Sequence, residues 1–259
     1  MTRTPPNDVI TLLDDLKVNL PLILGRNLVG IYLYGSLTQK AFNPERSDID
    51  LIVVTQRDLS EAQFKKLYAW LKRAAKSNPW TELLQMLFLL KEEVLTRNSK
   101  ACLYQFGKFN RGSSDGNPIF WINILKSGVV LYGARPETFV PEITSDTLYE
   151  ALVREVGYLR EEIVEKPDSE WRDVPKYRAY AVLTISRILY SFAKGTIVSK
   201  PKAARWAIRN LPEQWSDIIR QALASDAGQP EDIRLNKISQ FINFAEEAGA
   251  SYHKRQVKA

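Results

Sequence analysis

The chain has 259 residues, 45% of them hydrophobic and 25% charged, with a formal net charge of +6; that allows two modest domains or one large one and favours an anionic partner without choosing among nucleic acid, nucleotide and other polyanions. One cysteine, Cys102, and one histidine, His253, leave no internal disulfide, no Cys–His zinc site and no Ser-His-Asp or Cys-His catalysis. Chemistry must rest on carboxylates, lysines, arginines, hydroxyls and a metal. No apolar run is long enough to cross a bilayer, and the first eight residues lack the apolar core of a secretory signal, so a cytoplasmic protein is expected.

In chain order, residues 8–26 carry apolar positions at helical spacing, with a break or re-entry expected near Pro21. Leu28 to Tyr34 reads as a buried strand that ends at Gly35-Ser36, and Leu37 to Lys40 can start a helix. Ala41 to Ser47 is looser, with Asn43-Pro44 as a turn signal. Asp48 to Thr55 reads as a second strand. Ser60 to Ala75 reads as an amphipathic helix, with Ser60 as N-cap and Gln63 three residues on. Leu83 to Leu90 reads as a third strand. From about residue 145 the pattern turns helical, over 145–166, 176–194, 201–210, 213–225 and 230–249. The expected fold is α+β: a domain over residues 1–140 with a small mixed sheet and flanking helices, then an α-helical bundle over 141–259. The turn-rich Gly133-Ala134-Arg135-Pro136 marks the change. His253, with Lys254 and Arg255, is expected in a solvated tail that frays over 254–258.

The informative stretch is Tyr34-Gly35-Ser36, then Ser47-Asp48-Ile49-Asp50. On a strand Asp48 and Asp50 point to one face. Paired carboxylates repel, and a divalent cation removes that cost. Magnesium accepts one or two carboxylates and takes its remaining ligands from water and phosphates. Glycine lets the backbone approach a ligand closely. The Ser36 hydroxyl and the N–H groups opening the next helix can hold phosphate oxygens. An isolated Gly-Ser is usually a turn, and an isolated Asp-x-Asp a solvated strand end. Together, on consecutive strands, they point to a site that holds a nucleoside triphosphate and exposes its α-phosphorus.

Gly35-Ser36 with Ser47-Asp48-Ile49-Asp50 resembles the DNA polymerase β-like nucleotidyltransferase superfamily. Tyr180 to Trp206 looks like the C-terminal domain of aminoglycoside nucleotidyltransferases of the streptomycin/spectinomycin 3''(9)-adenylyltransferase type. Gly128 to Gly133 resembles that family's connection between domains. The resemblance covers nearly the whole chain. It implies a cytoplasmic enzyme that moves AMP from ATP, with Mg2+, to a hydroxyl of a small, cationic, antibiotic-like acceptor. Residue by residue, it implies phosphate contacts for Gly35, Ser36 and Ser47, and metal binding for Asp48 and Asp50. It implies triphosphate contacts for Arg187 and Lys200, which fits a ligand that carries roughly four negative charges. It places Trp171 and Asp173 in the acceptor region, where Tyr177 and Arg178 also fall instead of acidic positions.

One departure matters. The family carries a glutamate on the third strand as general base, and Gln85 stands there. An amide accepts no proton and is a weak metal ligand. Three explanations stay open: a Glu→Gln replacement, a natural member with weak or altered activity, or Glu82 serving through a shifted register. A catalytically weak or silent nucleotide-binding protein, or a toxin–antitoxin partner of the same fold, is therefore the alternative to an active enzyme. A transferase acting on RNA or protein is favoured only by the positive charge.

Overall fold

The computed structural model describes residues 5–96, 102–112 and 116–256, without the side chains of 253–256. By contact the chain divides into two units, Met1–Glu142 and Ile143–Ala259.

The first unit opens with α1 (Asn7–Leu24), whose Val9, Leu12, Leu16, Leu20 and Leu24 are buried at helical spacing. Pro21 does not break it. The proline costs one N–H bond, but it lies in the last turn, where little helix remains to be displaced, and buried leucines anchor the helix on both sides. Two strands follow, β1 (Leu28–Tyr34) and β2 (Ile49–Thr55). Helix α2 (Glu61–Ser77) starts at a full capping box: Ser60 Oγ accepts from the Gln63 N–H, and Gln63 Oε1 accepts from the Ser60 N–H. Strand β3 (Leu84–Leu90), the hairpin strands β4 (Cys102–Gln105) and β5 (Lys108–Arg111), helix α3 (Pro118–Ser127) and strand β6 (Val129–Gly133) complete the unit. The stretch expected as a connection between domains is thus the edge strand β6.

The six strands form one mixed sheet in the order β5-β4-β3-β2-β1-β6. The β2–β3 pair is parallel, joined through α2, and the other pairs are antiparallel. One face carries Ile31, Leu33, Leu51, Val53, Met86 and Phe88 against the leucines of α1 and α2. On the other face Tyr32, Trp121 and Phe139 meet pairwise with ring centroids 5.8–5.9 Å apart. Tyr34 meets Phe120 of α3 at 5.6 Å. Cys102 is buried in this unit, and burial pushes its thiol up.

Two expectations change here. No helix follows Gly35-Ser36; residues 35–40 form a run of turns. The Gln39 N–H reaches Gly35 O at 3.1 Å, but Lys40 takes φ +55° and the Ala41 N–H turns back to Ser36 O at 3.0 Å, so the helical turn cannot propagate. Strand β2 begins at Ile49, not Asp48. Strand β1 ends opposite Asp50 and β3 begins opposite Ile49, so Asp48 has no ladder partner.

The second unit is helical: α4 (Ser145–Arg160), α5 (Glu170–Asp173), α6 (Pro175–Lys194), α7 (Lys200–Asn210), α8 (Ser216–Asp226) and α9 (Leu235–Gln256). Helix α6 is the core element, with eleven buried residues. The expected helix at 230 begins five residues later. Arg178 holds that approach, donating to Ile233 O at 3.3 Å with Asp232 at 3.6 Å, while Ile233 is buried. Helix α9 continues to Gln256, so residues 254–256, expected to fray, are helical. The His253 side chain and residues 257–258 lie outside the described parts. Among the described residues no helix is long and apolar enough to cross a membrane.

Candidate active site

The first unit gathers its chemistry at one corner of the sheet. In register, Asp50 lies between Tyr34 of β1 and Gln85 of β3. Residues directly opposite on neighbouring strands share a face and lie about 5 Å apart. Tyr34 meets α3, so Asp50 and Gln85 face that helix too. The corner thus joins the carboxyl end of β1 to the amino ends of β2 and β3.

Gly35 is fixed by two independent demands. Its φ is +78°, and a Cβ built there would fall on the Asp50 carboxylate. The glycine backbone and the Asp50 side chain are therefore in contact. Next to it, the Ser36 hydroxyl is buried and has no hydrogen-bond partner. A buried hydroxyl without a partner costs stability unless a ligand satisfies it. Asp48, just before β2, is exposed, while Asp50 is partly buried.

Ser47 braces the loop. Its Oγ accepts from the Asn43 N–H at 2.9 Å, and its own N–H donates to Asn43 O at 2.8 Å. One hydroxyl proton remains available on Ser47. Glu82 is exposed on a 3-10 turn, Pro79–Leu83, and not on a strand. It sits beside Gly107 and Tyr104 of the β4–β5 hairpin; burial, helped by the Glu82 charge, pushes the Tyr104 phenol up to about 12. Gln85, not Glu82, is the register neighbour of Asp50.

Sequence reasoning missed two polar residues of this corner. Gln39, on the turn, donates to the Asn123 side chain of α3. Asn123 is buried among apolar neighbours. A polar residue on the apolar face of α3 was the available signal.

In the second unit, Lys200 opens α7 and places its Nζ 3.4 Å from the Tyr180 ring centroid. Arg187 is seven residues after Tyr180 on α6, hence on the same helix face and about 10 Å along the axis. Trp171 stacks on Tyr177 at 5.5 Å and meets Tyr180 and Tyr158 edge-on at 5.4 and 5.6 Å. Asp173 ends α5 and is exposed. Burial and the nearby carboxylates Glu162 and Glu155 push the Tyr158 phenol up. Hydrogen bonds from Lys166 and Ser169 hold Glu162 below the usual carboxylate range. The four-ring cluster, apart from Trp171 and Tyr177, was not read from sequence, because it forms only when α4, α5 and α6 pack.

A mixed sheet with a Gly-Ser turn against an aspartate of the next strand defines a nucleotidyltransferase fold. Comparison with known proteins agrees. Residues 13–105 match the nucleotidyltransferase domain family, and residues 138–249 match the aminoglycoside adenylyltransferase C-terminal domain. A spectinomycin 9-adenylyltransferase of Campylobacter jejuni is 24% identical over 225 residues, 81% of this chain and 82% of that one. An aminoglycoside (3'')(9) adenylyltransferase of Escherichia coli is 26% identical over 238 residues, 84% of this chain and 86% of its own length. The crystal structure of spectinomycin adenyltransferase AAD(9) from Enterococcus faecialis, with ATP and spectinomycin, shares the fold. Its TM-score is 0.71 at 16% identity, with 94% of this chain and 98% of that chain covered. The chain thus combines a nucleotidyltransferase domain with a domain matching the aminoglycoside adenylyltransferase C-terminal family, and over most of its length it resembles adenylyltransferases of that kind.

Proposed function

We propose that the protein transfers AMP from ATP to a hydroxyl of an aminoglycoside-type acceptor in the cytoplasm. The observation that carries this reading is the contact of Gly35 with the Asp50 carboxylate beside the unpartnered, buried Ser36 hydroxyl. Names of the relatives, adenylyltransferases of spectinomycin and aminoglycosides, support the acceptor class.

Asp48 and Asp50 are the residues that would hold Mg2+. Two carboxylates with an amide oxygen alongside are hard donors, and among the described residues no group of three carboxylate, histidine or cysteine side chains gathers. That set suits an ion that keeps water and phosphate oxygens rather than a closed protein cage. When bound, the ion supplies positive charge to the triphosphate. Ser36 Oγ–H donates to a phosphate oxygen, with Ser47 as a second donor. Arg187 and Lys200 neutralise the remaining phosphate charge. The acceptor hydroxyl oxygen bonds to the α-phosphorus as the bond to the β-phosphate oxygen breaks; pyrophosphate leaves and the hydroxyl proton passes to solvent. The aromatic cluster around Trp171, with Glu155, Glu162 and Asp173 nearby in sequence or space, suits a small cationic acceptor rather than a nucleic acid.

Gln85 sits beside Asp50 and can orient the acceptor hydroxyl but cannot take its proton. This favours slow transfer, and it supports a second reading, a catalytically silent nucleotide-binding protein of the same fold. Mass spectrometry decides. ATP, magnesium and a panel including spectinomycin and streptomycin are incubated with the protein and with Gln85→Glu. The expected result is a drug carrying one AMP, formed roughly a hundred- to ten-thousandfold faster by Gln85→Glu. If neither form yields adduct while ATP still binds, the silent reading stands.

A further inference from the structure

We propose that Gln39 and Asn123 form a latch that positions the Ser36 turn for the triphosphate, a reading that rests on the nucleotide role proposed above. Asn123 is only 5% exposed and lies on one face of α3 with Ile119, in a helix whose Trp121 and Ile124 are also buried. Asparagine is a poor helix former, and a buried amide costs stability unless both its halves are bonded. An aliphatic side chain would suit that position better for packing alone. Both halves are used. Asn123 Nδ2 donates to Ile119 O at 3.1 Å, which fixes the amide orientation, and Oδ1 accepts from Gln39 Nε2.

The turn needs such a hold. Lys40, the residue after Gln39, has φ +55°, a conformation that a lysine adopts only when its surroundings impose it. Within the turn, Thr38 Oγ1 donates to Gly35 O at 3.2 Å, and the Gln39 N–H reaches the same carbonyl at 3.1 Å. These bonds fix the turn's shape but not its place. The Gln39 side chain ties that shape to α3. From Asn123 the linkage runs through Gln39 to Gly35, and so to the contact with Asp50 and to Ser36. Gln39 and Asn123 are positioning residues. They act through the turn and need not touch the nucleotide.

The test compares the protein with Asn123→Leu, Gln39→Met and Asn123→Asp. Aspartate, kept neutral by burial, retains both an acceptor for Gln39 and an O–H for Ile119 O. The readouts are calorimetric affinity for a non-hydrolysable ATP analogue with magnesium, the KM values for ATP and for spectinomycin, and the melting temperature. The latch predicts that Asn123→Leu and Gln39→Met each weaken the analogue and raise the ATP KM about tenfold, since small misplacements of a binding group are felt strongly. The spectinomycin KM stays put, and Asn123→Asp recovers most of the loss. If Asn123→Leu does not fold, Gln39→Met on the partly exposed turn decides. Folded variants with unchanged nucleotide affinity overturn the latch and leave the nucleotide reading intact. A wild-type protein that does not bind the analogue overturns both.

Discussion

The two units encode their chemistry differently. In the first, Gly35, Ser36, Asp48 and Asp50 fall within sixteen residues, and one strand pair and its turn are enough to assemble them. In the second, Trp171, Tyr180 and Lys200 span thirty residues and meet only because α5, α6 and α7 pack. A site built across a hairpin can be read as a motif. A site built across helices is a constellation, and its members look like ordinary surface residues until the bundle forms.

The sharpest way to break this contrast is Asp50→Asn. It should cut transfer on the order of a thousandfold or more. Asparagine keeps the size and shape of the side chain, so the melting temperature should shift by no more than a few degrees. A stopped pyrophosphate-release assay with a melting curve checks it, and near-normal turnover would move the chemistry away from the corner. Gly35→Ala should cost about 2 kcal/mol in urea unfolding, from the left-handed φ and the clash with Asp50. Little change would mean that Asp50 and Gly35 do not touch in solution. In the second unit, Lys200→Met should raise the ATP KM about tenfold, the loss of one charge-assisted contact. The melting temperature should stay within a few degrees, since the Tyr180 contact is partly exposed and weak. A change confined to the acceptor KM would give Lys200 to the drug instead of the triphosphate.

Much of the fold was legible because its signals are local. The Ser60–Gln63 capping box, strands 28–34 and 84–90, and the helices from residue 145 follow from spacing and end signals. What was not legible depends on partners far along the chain. Leu37 to Lys40 has helical composition, yet the turn is held by Asn123, more than eighty residues later. The hairpin strands β4 and β5 are four residues each, too short to show a period. Helix α3 is apolar nearly all round, because it is buried, so it shows little amphipathic signal. The stretch before α9 carries a contact from another helix, Arg178 on Ile233 O, that spacing does not show. At the corner, the placement of Gln85 beside Asp50 follows from parallel β2–β3 register, which the spacing of the strands alone does not fix.

The central claim is that two acidic side chains and the glycine-serine turn of the first unit grip one metal-bound nucleotide. Titrating ATP into the protein with and without magnesium, alongside the Asp48→Asn/Asp50→Asn double variant, tests it most directly. The account predicts affinity that rises with magnesium in the wild type and loses that dependence in the variant. Identical magnesium dependence in both proteins would contradict it.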